Sequence, residues 1–353
     1  MNLDDRIKEY IGNLKKEDRI AILYHSDVDG ICSAVITLSL IEKTGKKAML
    51  FIPVTHKADL FNKELLNKLK ADKINKIIML DFSADQYPED IKKLEQFSDI
   101  LILDHHATLC DLNSKRTIFI KARNYYNSEI YIPCSKLCFD AFSKIENMGD
   151  LYDLMLIGYV ADSQFQGWEK EVKKKYHKLK PEQFMKVIKK LNNGMISKKQ
   201  DFCLKTLREN KNFHSLSKKL SKIIFPSEKD IAYHLKNWKK LAEINKKLKL
   251  IFINIKSKYP ITSTIATVIA FDDTNWTVIT HQKLGNLIQI SARKQDAKIK
   301  MNELLSNSVK GFENATAGGH IPAAGGSIQV KDLERFKQNI IKNLERIILQ
   351  SRK

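Results

Sequence analysis

Between Arg19 and Ala122 the chain repeats short apolar runs, "IAILYH", "KAMLFIPV", "KIIMLDF", "DILILDHH" and "TIFIKA", with charged, helix-period segments between several of them. Runs this short and apolar on both faces suit strands covered on both sides, the condition of a parallel sheet. Strands alternating with helices predict a doubly wound α/β sheet, whose ligands gather at the carboxyl ends of strands near a topological switch point. Beyond the last run, Pro133 to Val160 reads as two helices, with Leu137, Phe139, Phe142 and Ile145 at helical spacing.

The character changes near Trp168. "EKEVKKKYHKLKPEQFMKVIKKL" and "AYHLKNWKKLAEINKKL" are Lys-rich and helix-periodic, with no strand pattern, and predict a helical connector. Its charge runs suit either solvated faces or a surface for a phosphate backbone. Strand-like runs resume after Leu248 ("LKLIFINI", "NWTVITH", "NLIQISAR"), followed by "MNELLSNSV", a Gly-rich turn and an amphipathic helix from about Lys331. The expected organisation is an α/β chain of three parts: a doubly wound α/β domain over 1–167, a basic helical connector over 168–247, and a smaller α+β domain with a mixed sheet over 248–353.

With 43% hydrophobic residues in 353, the chain has enough apolar material for real cores. Its N-terminal stretch is charged, and no apolar run approaches the roughly 18 to 20 residues that span a membrane, so a cytoplasmic protein without membrane contact is expected. The five scattered cysteines do not suggest a disulfide framework, and Cys134 and Cys138 read as small apolar residues on one helical face. Sixty-one basic against 41 acidic residues give a net charge of +20, which draws polyanions in a salt-dependent manner but does not by itself identify one.

Three predicted strands end in acid or histidine. "AILYHSDVDG" supplies His25, Asp27 and Asp29, "IIMLDFS" supplies Asp81, and "ILILDHH" supplies Asp104, His105 and His106. Parallel strands would bring these side chains to one sheet edge, where carboxylates repel unless a cation lies between them. Each acid alone also suits a helix cap. Carboxylates with imidazoles and no essential thiolate favour Mn²⁺ or Mg²⁺ over Zn²⁺.

On these motifs the chain resembles the DHH phosphoesterase superfamily. The name-giving motif stands as Asp104-His105-His106, the first motif as "HSDVDG" (25–30), the second as Asp81, and the fourth as Gly158-Tyr-Val-Ala-Asp162-Ser163. "AGGHIPAAGG" (317–326) is similar to the glycine-histidine motif of the associated C-terminal domain, with Ala317 in place of the first glycine. The resemblance implies two Mn²⁺ or Mg²⁺ ions, one held by His25, Asp27 and Asp81, the other by Asp29, Asp81, His105 and Asp162, with Asp81 shared. It implies catalytic roles for His106, at the scissile phosphate, and for Asp104, which would orient a histidine. His25 lies two residues before Asp27, where some branches place the histidine four before.

"ATAGGHIPAAGG" by itself suits either a turn or a backbone cradle for a phosphate. The resemblance favours the cradle, with Arg293, Gly318, Gly319, His320 and Ser291 binding substrate. The implied function is a RecJ-like exonuclease of the shorter archaeal type, releasing mononucleotides from single-stranded DNA or RNA, with replication or repair proteins as its partner class. Two alternatives stand beside it: a hydrolase of dinucleotides, short oligoribonucleotides or phosphonucleotides, and a replication or repair scaffold with little activity.

Overall fold

The computed structural model describes residues 2–54, 62–128, 130–162, 168–176 and 181–350. Ser163 of the fourth motif lies outside the described residues. The chain forms two compact units that divide between Ile224 and Phe225, inside the stretch read as a connector.

The first unit carries a parallel sheet of β1 (Ile20–His25), β2 (Ala48–Val54), β3 (Lys76–Leu80), β4 (Asp99–Asp104) and β5 (Thr117–Lys121), in the order β2-β1-β3-β4-β5. Each strand coincides with one of the apolar runs. The chain leaves β1 toward β2 and returns on the other side to β3, so the switch point falls between the carboxyl ends of β1 and β3. One face of the sheet (Ala21, Leu23, Ile77, Met79, Ile100, Ile102, Phe119) packs with Leu65 and Leu69 of α3 (Lys63–Ala71) and Ile91 and Leu94 of α4 (Pro88–Glu95). A helix before the sheet, α1 (Leu3–Gly12), is capped by Asn2, whose side chain accepts the Asp5 N–H.

The other side of the sheet carries α2 (Val28–Lys43), which is buried from Val28 to Ile41 because helices also cover its far side. Those helices are α6 (Cys134–Phe142), reached after the short α5 (Ala122–Tyr126), and α7 (Tyr152–Asp162). Four helices of the Lys-rich stretch belong to this unit: α8 (Trp168–Lys175), α9 (Pro181–Ile196), α10 (Gln200–Glu209) and α11 (Phe213–Ser221). Asp153, buried on α7, ties two of them down by accepting from Lys175 Nζ at 2.7 Å and from the Phe213 N–H at 2.8 Å.

The second unit opens with α12 (Pro226–Leu241) and holds a mixed sheet ordered β10-β11-β9-β8-β7-β6. Its strands are β6 (Ala242–Asn245), β7 (Leu250–Ile255), β8 (Thr277–Leu284), β9 (Leu287–Arg293), β10 (Thr316–Gly319) and β11 (Ala323–Gln329), antiparallel except between β7 and β8. Leu250, Phe252, Ile279, Ile288 and Ile290 pack on α14 (Met301–Ser308) and α15 (Leu333–Gln350), while α13 (Thr262–Asp272) lies against β8 and β9. Two expectations are corrected. The helix-periodic stretch ends in a strand, β6, because Ala242–Asn245 completes the sheet edge beside β7. The Gly-rich segment is no simple turn but the β10–β11 hairpin, in which Ala317 and Gly318 pair with Gly326 and Gly325.

Candidate metal centre and phosphate site

At the end of β1 the chain turns sharply into α2. A Cβ on Gly30 would lie 2.1 Å from the His25 carbonyl oxygen, so only glycine permits the turn. Asp27 caps α2, its Oδ1 accepting the Gly30 N–H at 2.8 Å, while its Oδ2 lies 2.8 Å from His25 Nδ1. Asp27 therefore serves as a cap and still presents an oxygen to the sheet edge. Asp29, in the first turn of α2, points inward and accepts the backbone N–H groups of Cys134 at 2.7 Å and Ser135 at 3.0 Å. Those are the first residues of α6, whose N-terminal partial charge favours an anion there. Gly158 lets α7 close on this contact: a Cβ would meet Ser135 Oγ at 2.4 Å and Asp29 Oδ1 at 2.8 Å.

Asp81 follows β3 in the left-handed region, with φ 68°, a conformation that costs a non-glycine residue about 1 kcal/mol or more. Its N–H donates to the Leu103 carbonyl at 3.0 Å, which holds it there. Both carboxylate oxygens are buried and accept no hydrogen bond among the described residues. They face nitrogens instead: Oδ1 lies 2.9 Å from His105 Nε2 and Oδ2 lies 3.8 Å from His25 Nδ1, neither in hydrogen-bonding geometry. His105 Nε2 also stands 3.3 Å from Oδ2 of Asp162, at the end of α7. Tyr131, which no sequence pattern singled out, donates its hydroxyl to the same Asp162 oxygen at 2.6 Å and sets its ring edge-on to His105.

Asp104 is wholly buried behind the histidines. Its Oδ1 accepts the His105 N–H at 2.8 Å and lies 2.7 Å from His106 Nδ1, and its Oδ2 meets Lys121 Nζ. His106 keeps 40% of its side chain exposed, with Nε2 as its remaining nitrogen.

The electrostatics favour a cation. Burial first, then Asp162 and Asp27, raise the Asp29 carboxyl to about 8. Burial and Asp27 raise Asp162 to about 6, and burial with four carboxylate neighbours holds Asp81 well above the usual range. Burial, then the neighbouring His106, lowers His105 to about 3, leaving a neutral imidazole suited to ligation. Asp104 behaves oppositely: although burial opposes its ionisation, His106 and Lys121 hold it below the usual range. Ligand atoms of His25, Asp27 and Asp81 lie within 4.8 Å of one another, as do those of Asp29, His105 and Asp162, and those of Asp81, Asp104, His105 and His106. Oxygen and imidazole donors around orphaned carboxylate oxygens fit a hard divalent ion.

In the second unit, Ser291 and Arg293 lie on the α13 side of β9. The guanidinium donates to Thr267 Oγ1 (3.0 Å), Ser263 Oγ (2.7 Å) and the carbonyls of Ala292 (2.9 Å) and Ala324 (3.2 Å), with no carboxylate partner among the described residues. Burial lowers its pKa to about 10. Arg293 pairs across the sheet with Ala323, which closes a tight turn with His320, so the two basic residues stand at one end of the sheet. Gly318, Gly319 and His320 are all exposed, and Gly319, at φ 131°, would drive a Cβ to 2.5 Å from the Ala323 carbonyl oxygen. Ser291 is buried beneath Thr262, its Oγ 3.5 Å from the threonine hydroxyl.

Comparison with known proteins agrees with this architecture. Residues 19–159 match the DHH family, N-terminal domain, and residues 235–346 match the DHHA1 domain. A sequence comparison with curated proteins gives no significant match. Among solved structures, the chain is similar to RecJ from Thermus thermophilus in complex with Mn²⁺ (15% identity, TM-score 0.74, covering 98% of this chain and 55% of that one). It is also similar to an exonuclease RecJ bound to manganese (15%, 0.73, 98% and 95%) and to an exopolyphosphatase-related protein from Bacteroides fragilis (14%, 0.58, 98% and 97%). The chain thus spans about half the length of the Thermus protein.

Proposed function

The chain belongs to the DHH superfamily and carries a C-terminal DHHA1 domain, and from that premise we propose a two-metal phosphodiesterase, a RecJ-like exonuclease acting on single-stranded DNA or RNA from an end. The observation that carries the reading is the Asp81 carboxylate, buried with no hydrogen-bond donor on either oxygen and faced by His25 and His105. In this reading His25, Asp27 and Asp81 hold one Mn²⁺ or Mg²⁺ ion and Asp29, Asp81, His105 and Asp162 the other. When bound, such ions stabilise charge on phosphate oxygens and lower the pKa of water. The chain's own residues do the positioning: Gly30 and the α6 N-terminus fix Asp27 and Asp29, and Asp104 turns His106 so that its Nε2 meets the substrate phosphate. Arg293, Gly318, Gly319 and His320 bind the substrate's phosphate or nucleotide; Ser291, being buried with its hydroxyl against Thr262, is left out of that set.

A net charge of +20 supports a polymeric polyanion as substrate. The test is digestion of 5′- and 3′-labelled DNA and RNA 20-mers, and of a labelled dinucleotide, with Mn²⁺ at several salt concentrations. Mononucleotide release from one end of the 20-mers, weakening with salt, is expected. Strong preference for the dinucleotide transfers the protein to the short-oligonucleotide hydrolases. Failure to cut any of them, with wild type and Asp29→Ala indistinguishable, leaves the scaffold reading.

A further inference from the structure

Lys121 ends β5 with its side chain 1% exposed, between the carboxylates of Asp104 and Asp85, both wholly buried. Its Nζ meets Asp104 Oδ2, lies 3.3 Å from Asp85 Oδ1 and reaches the Ala107 carbonyl at 3.5 Å. Asp85 in turn accepts the Leu109 N–H at 2.7 Å on Oδ2 and the Cys110 thiol at 3.3 Å on its backbone oxygen. Asp104 accepts the N–H groups of His105 and His106 and faces His106 Nδ1. The carboxylate anchors of the loop, Asp104 under His105 and His106 and Asp85 under Leu109, therefore lead back to one ammonium group.

A buried lysine is costly, and an apolar side chain would fill the buried end of this edge strand without desolvating a charge. The ammonium supplies what an apolar group cannot, a fixed donor that holds the Asp104 carboxylate in one orientation. Asp104 has only one oxygen left for the histidine ring once Oδ2 is committed to Lys121, so the position of His106 follows from the lysine two side chains away. We propose that Lys121, supported by Asp85, is a positioning residue that sets the ring orientation of His106 through Asp104. The proposal rests on the reading of His106 as the group that meets the substrate phosphate.

The test uses the full chain with ¹⁵N-labelled histidine in Mg²⁺ at pH 8. Long-range ¹H–¹⁵N spectra of the wild type should show His106 protonated on Nδ1 in a single orientation; a ring averaging between tautomers overturns the proposal whatever the variants do. Lys121→Met leaves two buried carboxylates unbalanced, so the decisive variant is Lys121→Met with Asp85→Asn. It removes one buried cation and one buried anion together and keeps an acceptor for the Leu109 N–H. In the double variant the Nδ1-protonated signature should be lost. Its kcat on the 20-mer should fall roughly 10- to 100-fold, the range for groups that orient site residues, with KM within about twofold. Unchanged ring signals or an unchanged kcat in the folded double variant refutes the role. If the wild type cuts no phosphodiester, the activity reading fails while the ring spectra still decide the part played by Lys121.

Discussion

Raising the pH of the metal-free protein from 6.5 to 8 should destabilise it, and divalent ions should reverse the loss. Asp29 is 1% exposed, and its carboxyl, ordinarily at 3.8, is raised to about 8 by burial and then by Asp162 and Asp27. Between those values the native state holds a proton that the unfolded chain has released, so stability falls as pH rises, by about 1.4 kcal/mol per pH unit. Across the window that is about 2 kcal/mol from Asp29 alone. Asp81 is raised in the same direction and adds to the loss. His25 is raised to about 9: burial opposes this, but Asp27, Asp162 and Asp29 outweigh it. Its stabilising contribution is full below 6.5 and is lost as pH climbs toward 9; with 38% of its side chain exposed it is the weaker participant. His105, lowered to about 3, acts in the opposite sense but only between about 3 and 6.5, below the window. Urea unfolding in EDTA at pH 6.5, 7, 7.5 and 8, repeated with Mg²⁺, measures the slope. Mg²⁺ at 100 times its Kd should restore about 2.7 kcal/mol. Asp29→Asn should flatten the metal-free slope by up to about 1.4 kcal/mol per pH unit, most at the low end of the window. A metal-free stability that is level or rises across the window, or a slope unmoved by Asp29→Asn, refutes the account of carboxylates held together against their own charge.

Three further outcomes follow from the geometry. Asp81→Asn removes the carboxylate that both proposed ions share, so calorimetric titration with Mn²⁺ should lose at least one site and turnover should vanish, while melting in EDTA at pH 8 should occur at higher temperature than for wild type. Gly158→Ala places a methyl 2.4 Å from Ser135 Oγ and 2.8 Å from Asp29 Oδ1; it should cost about 1–3 kcal/mol in denaturant unfolding and weaken Mn²⁺ binding by displacing α7 from Asp29. Arg293→Ala removes a guanidinium with no carboxylate partner among the described residues and should raise KM for a 20-mer roughly 10- to 100-fold, the equivalent of a charge-assisted hydrogen bond, leaving Mn²⁺ affinity unchanged.

The chemistry at the sheet edge was legible because it is local. A short run apolar on both faces becomes a buried strand, and the residue that follows it emerges at the carboxyl end, so His25, Asp27, Asp81, His105 and His106 could be placed at one edge from their positions alone. The glycines were less transparent. Gly30 and Gly158 matched motifs, but only the folded backbone reveals that one answers to a carbonyl 2.1 Å away and the other to Ser135 and Asp29 on neighbouring helices. In the second unit, Gly318 and Gly319 read as turn residues because glycine carries no strand signal; pairing with β11 decided otherwise. Helix α13 was not foreseen, although its hydroxyls receive the Arg293 guanidinium.

What the sequence by itself determined is therefore the set of side chains, the parallel sheet that delivers them and the preference of their oxygen and imidazole atoms for a hard cation. Tertiary structure decided the switch point between β1 and β3, the α6 N–H groups that grip Asp29 from 105 residues away, the hydroxyl that Tyr131 lends to Asp162, and the Lys121–Asp85–Asp104 network behind His106. Strand periodicity is written in neighbouring residues. Contacts between elements far apart in the chain depend on which strand lies beside which and how closely the helices approach, and no local pattern carries that information.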